Sequence, residues 1–163
     1  MILDKLIEFF MQFPGIGPRQ AKRFAYFLAD KDESFVKNFT EAILKIKKNI
    51  KQCPSCFHFF DSTTVVESDI CMVCSGINRV KSLLMIVEKD VDLENIEKFG
   101  IYNGRYFVLG GVIPLINSKI PPTGGLRFKE LFEKVKEEKP QEIILALSAT
   151  VEGENTSRYI QKI

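Results

Sequence analysis

The sequence predicts a multi-segment α+β fold: a helical N-terminal segment (1–52), a four-cysteine segment (53–79) and a C-terminal α/β module (80–163) with a mostly parallel sheet. Three observations predict this order. Apolar residues recur at helical spacing as far as residue 50, two Cys-x-x-Cys pairs follow, and from residue 83 short apolar runs alternate with helical stretches. Apolar residues make up 45% of the 163 residues, which is enough to bury a core.

The composition also limits the classes of protein to which the chain can belong. No apolar run approaches the ~18 residues that a membrane span requires. Asp4 and Glu8 interrupt the apolar N-terminus, which argues against a signal peptide. We therefore expect a cytoplasmic protein without a membrane partner. The net charge is +2, but residues 1–52 carry 10 Lys and Arg against 6 Asp and Glu, a mild positive excess.

The N-terminal segment is predicted to be helical throughout. The first helix has apolar residues at helical spacing and ends at Pro14-Gly15. The second begins near Pro18, a favoured first-turn residue. The third runs from about 34 to 50, with Asp32 or Ser34 as its cap.

The turn between the first two helices is the first candidate site. Gly15 and Gly17 permit a tight turn with outward backbone amides, beside the positive end of the second helix, which suits a phosphate. One face of that helix carries a basic stripe with one aromatic, formed by Arg19, Lys22, Arg23 and Tyr26, while Ala21, Phe24, Ala25 and Leu28 face inward. This pattern is typical of a helix-hairpin-helix element that contacts the DNA backbone. The alternative is an ordinary helical hairpin with a solvated basic face.

The second candidate site contains every cysteine of the chain. The spacing Cys53-x2-Cys56-x14-Cys71-x2-Cys74 lets two tight turns aim four thiolates at one point. We expect a structural Zn²⁺ site, with two disulfides or a redox pair as alternatives. His58 is interpreted as a partly exposed side chain, with a role as ligand or proton carrier as the alternative. Apart from Val65-Val66, the segment is short of residues that form a core.

The C-terminal module has the alternation of strands and helices that is typical of a parallel α/β sheet. Apolar runs of strand length occur at 83–88, 106–111 and 142–147, and a helix is predicted over 125–138. Glu88 follows the first run, so its carboxylate should emerge at the carboxyl edge of the sheet, where ligand sites form. Glu152 and Glu154 are placed in a polar turn after the third run. Oxygen ligands of this kind bind Mg²⁺, which is the second candidate metal.

Together these motifs resemble a known family. "PGIGPRQAKRFA", the four-cysteine segment, "IVEKDVDLENIEKFGIYNGRYFVLGGVIPL" and "ATVEGENTSRYI" are similar, in this order, to the RecR family of bacterial recombination mediators. The resemblance implies a Toprim domain after the cysteines, and ring-like homo-oligomers that bind DNA. It also implies that the protein helps RecO, with RecF, to load RecA during gap repair, and no enzymatic activity is established for the family.

By position, the resemblance assigns DNA contact to Arg19 and Arg23 and zinc binding to the four cysteines. It makes Glu88 the glutamate at the end of the first Toprim strand, with Glu152 and Glu154 as the second acidic motif. We expect these carboxylates to contact RecO or to bind a metal ion weakly, with a catalytic role as the alternative. The sequence departs from the family after Arg79, where the family has an aspartate and this chain has Val80. It also ends at Ile163, where relatives continue, so part of the Toprim domain is expected to be missing.

Three functional hypotheses remain open at this point. The first is a non-enzymatic, DNA-binding recombination mediator. The second is a Mg²⁺-dependent Toprim enzyme of nuclease or primase type, suggested by Glu88, Glu152 and Glu154. The third is a docking adaptor that does not contact DNA. The absence of a Gly-rich phosphate-binding loop argues against ATP hydrolysis.

Overall fold

A computed structural model describes residues 1–64, 69–115 and 125–162. It divides the chain into two compact units, Met1–Lys48 and Asn49–Ile163, and each is described by itself. The predicted β-type pair Val65-Val66 lies outside the described residues. Within the described ranges, no helix is both long and apolar enough to cross a membrane.

The first unit contains three helices, α1 (Ile2–Met11), α2 (Pro18–Ala29) and α3 (Glu33–Asn49). Pro18 occupies the first turn of α2, as predicted. The cap of α3 is Asp32, whose Oδ1 accepts a hydrogen bond of 2.7 Å from the Phe35 amide. Phe10 of α1 packs against Phe24 of α2, with 5.6 Å between the ring centroids. The helical hairpin predicted for this segment is therefore present.

One part of the helical prediction is wrong. Residues 50–52 form a strand, β1 (Ile50–Gln52), which pairs antiparallel with β2 (Phe59–Asp61). The physical reason is the cysteine turn between the two strands, since Gln52 pairs with Phe59 just outside that turn. The hairpin belongs to the second unit. A 3-10 turn (Ser62–Thr64) follows β2, and a short helix, α4 (Met72–Ser75), carries the second cysteine pair.

The second unit is built around a three-stranded parallel sheet. Its strands are β3 (Val80–Val87), β4 (Gly104–Val108) and β5 (Glu142–Ala146), in the spatial order β4-β3-β5. Met85 of the central strand lies opposite Tyr106 and Ile144. Three helices alternate with the strands: α5 (Asp90–Phe99), α6 (Phe128–Glu138) and α7 (Val151–Ile160). The predicted parallel α/β module is confirmed.

The two faces of this sheet are covered differently. Successive side chains of a strand point to opposite faces, so Leu84 and Ile86 pack on one side with Phe128 and Leu131 of α6. Met85 and Val87 point to the other side, where the core also contains Leu93 of α5, Tyr106, Val108, Phe60 and three cysteines, Cys53, Cys56 and Cys71. The four-cysteine segment therefore shares its apolar core with the sheet.

A polar network lies next to that core. Arg79 donates to both carboxylate oxygens of Glu97, one of them at 2.8 Å, and the Tyr106 hydroxyl donates to Glu97 Oε1 at 2.6 Å. Burial alone favours the neutral form of Glu97, but these hydrogen bonds outweigh it and lower the pKa of the carboxyl. The resemblance predicts a carboxylate at position 80, next to Arg79, but Val80 stands there. Arg79 is paired with Glu97 instead.

Candidate nucleic-acid, metal and carboxylate sites

The turn between α1 and α2 is open to solvent at both glycines. Gly15 has a φ of +77°, a backbone conformation that favours glycine, and a methyl group added at Gly15 or Gly17 would meet no atom within 4 Å. Gly17 adopts an extended conformation and caps α2. In the part of the chain that the structure describes, neither glycine donates a backbone hydrogen bond through its amide. An anion can therefore approach this backbone closely.

The predicted basic stripe lies on the exposed face of α2. Arg19, Lys22 and Arg23 are exposed, and Tyr26 is 61% exposed. The opposite face is buried through Ala21 and Ala25, both at 0% exposure. The Arg23 guanidinium donates to Gln20 at 3.3 Å, and none of the three basic side chains has an ion pair among the described residues. The stripe is thus free to bind external anions.

The predicted inward face of α2 is less buried than expected. Phe24 is 36% exposed although it packs on Phe10, and Leu28 is only half-buried. The next helix, α3, has no buried residue, and its apolar side chains Phe39, Ile43 and Ile46 are 41%, 48% and 55% exposed. The first unit therefore presents apolar as well as basic surface.

The four cysteines converge on one point. Their Sγ atoms all lie within 4.8 Å of one another, and those of Cys56 and Cys71 are 3.6 Å apart. A tetrahedral shell with Zn–S bonds of about 2.3 Å places sulfurs about 3.8 Å apart, whereas a disulfide requires about 2.05 Å. All four thiols are free. The donor set fits a four-sulfur metal site and does not form the two disulfides considered as an alternative.

Local structure holds these thiols in place. Cys53 follows β1, its carbonyl accepts from the Phe57 amide and its own amide donates to His58, both at 2.9 Å. Phe57 has a φ of +63°, which closes the first Cys-x-x-Cys turn tightly. The Cys71 amide donates a hydrogen bond to Cys53 Sγ at 3.5 Å. A hydrogen bond with Cys53, together with burial, raises the pKa of the Cys56 thiol.

The interpretation of His58 as a partly exposed side chain is wrong. The residue is 8% exposed, and its Nδ1 lies 3.0 Å from Oδ1 of Asp90. It is not part of the metal-binding cluster, which consists of the four cysteines. No sequence pattern identifies Asp90, since nothing in its spacing relates it to a histidine 32 residues earlier.

Glu88 lies where the sequence places it, directly after β3 at the carboxyl edge of the sheet. Its side chain is 12% exposed and lies 3.3 Å from Lys89 Nζ. Burial favours the neutral form, but hydrogen bonds with Ser148 and Lys89 lower the pKa of the Glu88 carboxyl. Glu88 is therefore an ionised, largely enclosed carboxylate.

The predicted polar turn around Glu152 and Glu154 is wrong, because both lie in the first turn of α7. The Thr150 side chain caps this helix by accepting from the Gly153 amide at 3.2 Å. Glu154 is exposed and pairs with Arg158 at 3.6 Å. Among the described residues, only the cysteines form a metal-binding group of three or more ligands, so the structure does not join Glu88, Glu152 and Glu154 into one.

Comparisons with known proteins agree with this architecture. Residues 3–47 match the family described as "RecR, helix-hairpin-helix", and residues 82–163 match the Toprim domain. A recombination protein RecR of Prochlorococcus marinus (strain MIT 9312) is 38% identical over 161 residues, covering 99% of this chain and 77% of the relative. A RecR of Lactobacillus acidophilus is 37% identical, covering 97% and 76%, and one of Brachyspira hyodysenteriae is 39% identical, covering 98% and 76%.

The fold and the sites define a class of protein that joins a helix-hairpin-helix element, a metal-binding cysteine quartet and a Toprim domain. Within this class the similarity extends over almost the whole chain. The chain belongs to the RecR family of recombination proteins.

Proposed function

We propose that this protein is a non-enzymatic, DNA-binding recombination mediator in gap repair. The observation that carries the proposal is the basic face of α2 beside an open Gly15–Gly17 turn, in a member of the RecR family. Arg19, Lys22 and Arg23 would neutralise backbone phosphates, and the turn amides would donate to one of them. Binding of this kind ignores base sequence and weakens with salt.

The second component of the proposal is a structural zinc ion held by Cys53, Cys56, Cys71 and Cys74. A four-thiolate shell leaves no coordination position for a substrate, so the ion would stabilise the fold and supply no chemistry. We propose three functional domains, 1–52 for DNA, 53–79 for zinc and 80–163 as the Toprim domain.

The partners proposed for the chain are DNA, RecO- and RecF-type proteins and further copies of itself. A homo-oligomer is supported by the row of exposed apolar side chains on α3. The exposed carboxylate of Glu154 and the half-buried Glu152 would face a protein partner. Four reduced thiols and the recombination role fit the cytoplasm.

A Mg²⁺-dependent Toprim enzyme is the alternative, and one observation favours it: Glu88 is ionised and enclosed at the sheet edge. The separation of the three glutamates weighs against it, since metal-assisted phosphoryl chemistry needs clustered carboxylates. Incubating single- and double-stranded DNA with the protein and Mg²⁺ or Mn²⁺ tests it. Cleavage or synthesis that is lost in Glu88→Gln would replace our proposal with this one.

A salt titration of DNA affinity tests the DNA-binding proposal. Each phosphate contact contributes about 0.7 to the slope of log K against log [salt] for single strands and about 0.9 for duplexes. The double variant Arg19→Ala, Arg23→Ala should therefore lower the slope by about 1.4–1.8, equally for unrelated sequences.

The matched control is Lys37→Ala, Lys45→Ala, which removes the same charge from exposed positions of α3. A nonspecific effect of net charge would change both double variants alike, and that result would refute contact through α2. Binding to a RecO-type partner with no DNA affinity at low salt would select the docking adaptor instead.

A further inference from the structure

The carboxylate of Asp90 joins two parts of the second unit. Asp90 is the first residue of α5, and its Oδ1 accepts from the Phe59 amide at 2.8 Å and lies 3.0 Å from His58 Nδ1. With a proton on Nδ1, His58 also donates to this oxygen. Two groups of the cysteine segment, the Phe59 amide and the His58 ring, thus converge on one atom of the helix.

On one side of this contact lies the cysteine cluster. The His58 carbonyl accepts from the amide of Cys53 at 2.9 Å, and Cys56 stands two residues before His58. Because His58 is buried, its ring cannot replace the contact with Asp90 by a hydrogen bond to water unless the ring moves. The position of Asp90 therefore constrains the turn that aims Cys53 and Cys56.

On the other side lies the carboxyl edge of the sheet. Asp90 is two residues after Glu88, and the carbonyl of Glu88 accepts from the Gly110 amide at 2.9 Å. The same helix buries Leu93 in the core that contains Cys53 and Cys56. The first turn of α5 is thus fixed between the enclosed carboxylate and the cysteine cluster.

We propose that Asp90 is a positioning residue that couples metal retention at the four cysteines to the first turn of α5 and the neighbouring Glu88. The proposal rests on the zinc site proposed above. Binding at one site and conformation at another are linked, so loosening α5 at Asp90 weakens metal retention, and metal loss loosens α5. The cysteines alone do not determine how tightly the ion is held.

The experiment measures the rate at which zinc-loaded full-length protein releases Zn²⁺ to a chromogenic chelator. Asp90→Ala should release the ion about tenfold faster, the lower end of what loss of a supporting contact costs a metal site. Asp90→Asn keeps an oxygen that can accept from the Phe59 amide, so its effect should be smaller, about threefold. Hydrogen exchange in the loaded Asp90→Ala protein should also become faster at the amides of Phe59 and Leu93.

Two controls separate this coupling from general effects. Glu142→Ala removes the same charge from an exposed position of β5, and Val135→Ala weakens the core on the opposite face of the sheet. Both should release zinc at the wild-type rate. Equal rates for Asp90→Ala, Asp90→Asn and the wild type would overturn the coupling, as would an equal acceleration by Val135→Ala. A purified protein without zinc would instead refute the zinc site itself.

Discussion

The substitution Gly153→Ala tests how α7 is seated on the sheet. Gly153 lies in the first turn of α7, and a methyl group at this position would stand 1.9 Å from the carbonyl oxygen of Ser148. Real contacts of this kind are not shorter than 3.0 Å, so α7 or the Ser148 backbone must move by at least 1.1 Å. The neighbour is main chain, which cannot rotate away as a long side chain can.

The cost follows from what the movement disrupts. Separating Gly153 from Ser148 stretches the Thr150 cap, which is worth about 1 kcal/mol. Overpacking adds about 1–3 kcal/mol. Alanine has the better helix propensity by about 1 kcal/mol, which offsets part of this. We expect a net loss of about 1–3 kcal/mol in the free energy of unfolding.

Urea unfolding followed by circular dichroism is the assay. With a slope of about 1.5 kcal/mol per molar, the midpoint should fall by about 0.7–2 M. The control is Gly76→Ala in the same unit, where the nearest atom is Arg79 Cγ at 3.3 Å, a much smaller overlap, and φ is −58°. A Gly153→Ala midpoint equal to that of the control would refute the close seating of α7.

Two further predictions concern the metal and pH. Stripping zinc with a chelator should lower the melting temperature of the second unit, because three of its cysteines are core residues; an unchanged melting temperature would contradict a structural metal. The pKa of Glu97 is lowered in the folded state, so its ionised form stabilises the protein above about pH 4.5 and this stability is lost as pH falls through the folded pKa. Urea midpoints at pH 7 and pH 3 should therefore differ less in Glu97→Gln than in the wild type, and an equal difference would show that Glu97 contributes nothing.

Much of the fold could be predicted because local patterns determine it. Pro18 after a glycine turn set the start of α2, and the apolar run at 83–88 coincided with β3 except at its ends. The strand at Ile50–Gln52 could not be found in this way. It exists only through pairing with β2 across the cysteine turn, and helical spacing in α3 continues up to it.

The candidate sites show the same division between local and long-range information. The cysteine spacing alone predicted a cluster that the structure brings together. The start of α7 was missed because Gly153 weakens the helical pattern, although Thr150 followed by two acidic residues was a usable N-cap signal. Asp90 had no local signal at all, since its partners are 31 and 32 residues away.

Because the cysteines and the sheet share one core, the cysteine segment cannot be exchanged freely between homologues. The Val108 amide at the end of β4 donates to the carbonyl of Cys56 at 2.8 Å, and the Phe57 ring packs edge-on against Phe107 at 5.3 Å. A four-cysteine segment taken from a distant homologue would have to reproduce both contacts. Chimeras should therefore tolerate exchange of the segment only when β4 travels with it.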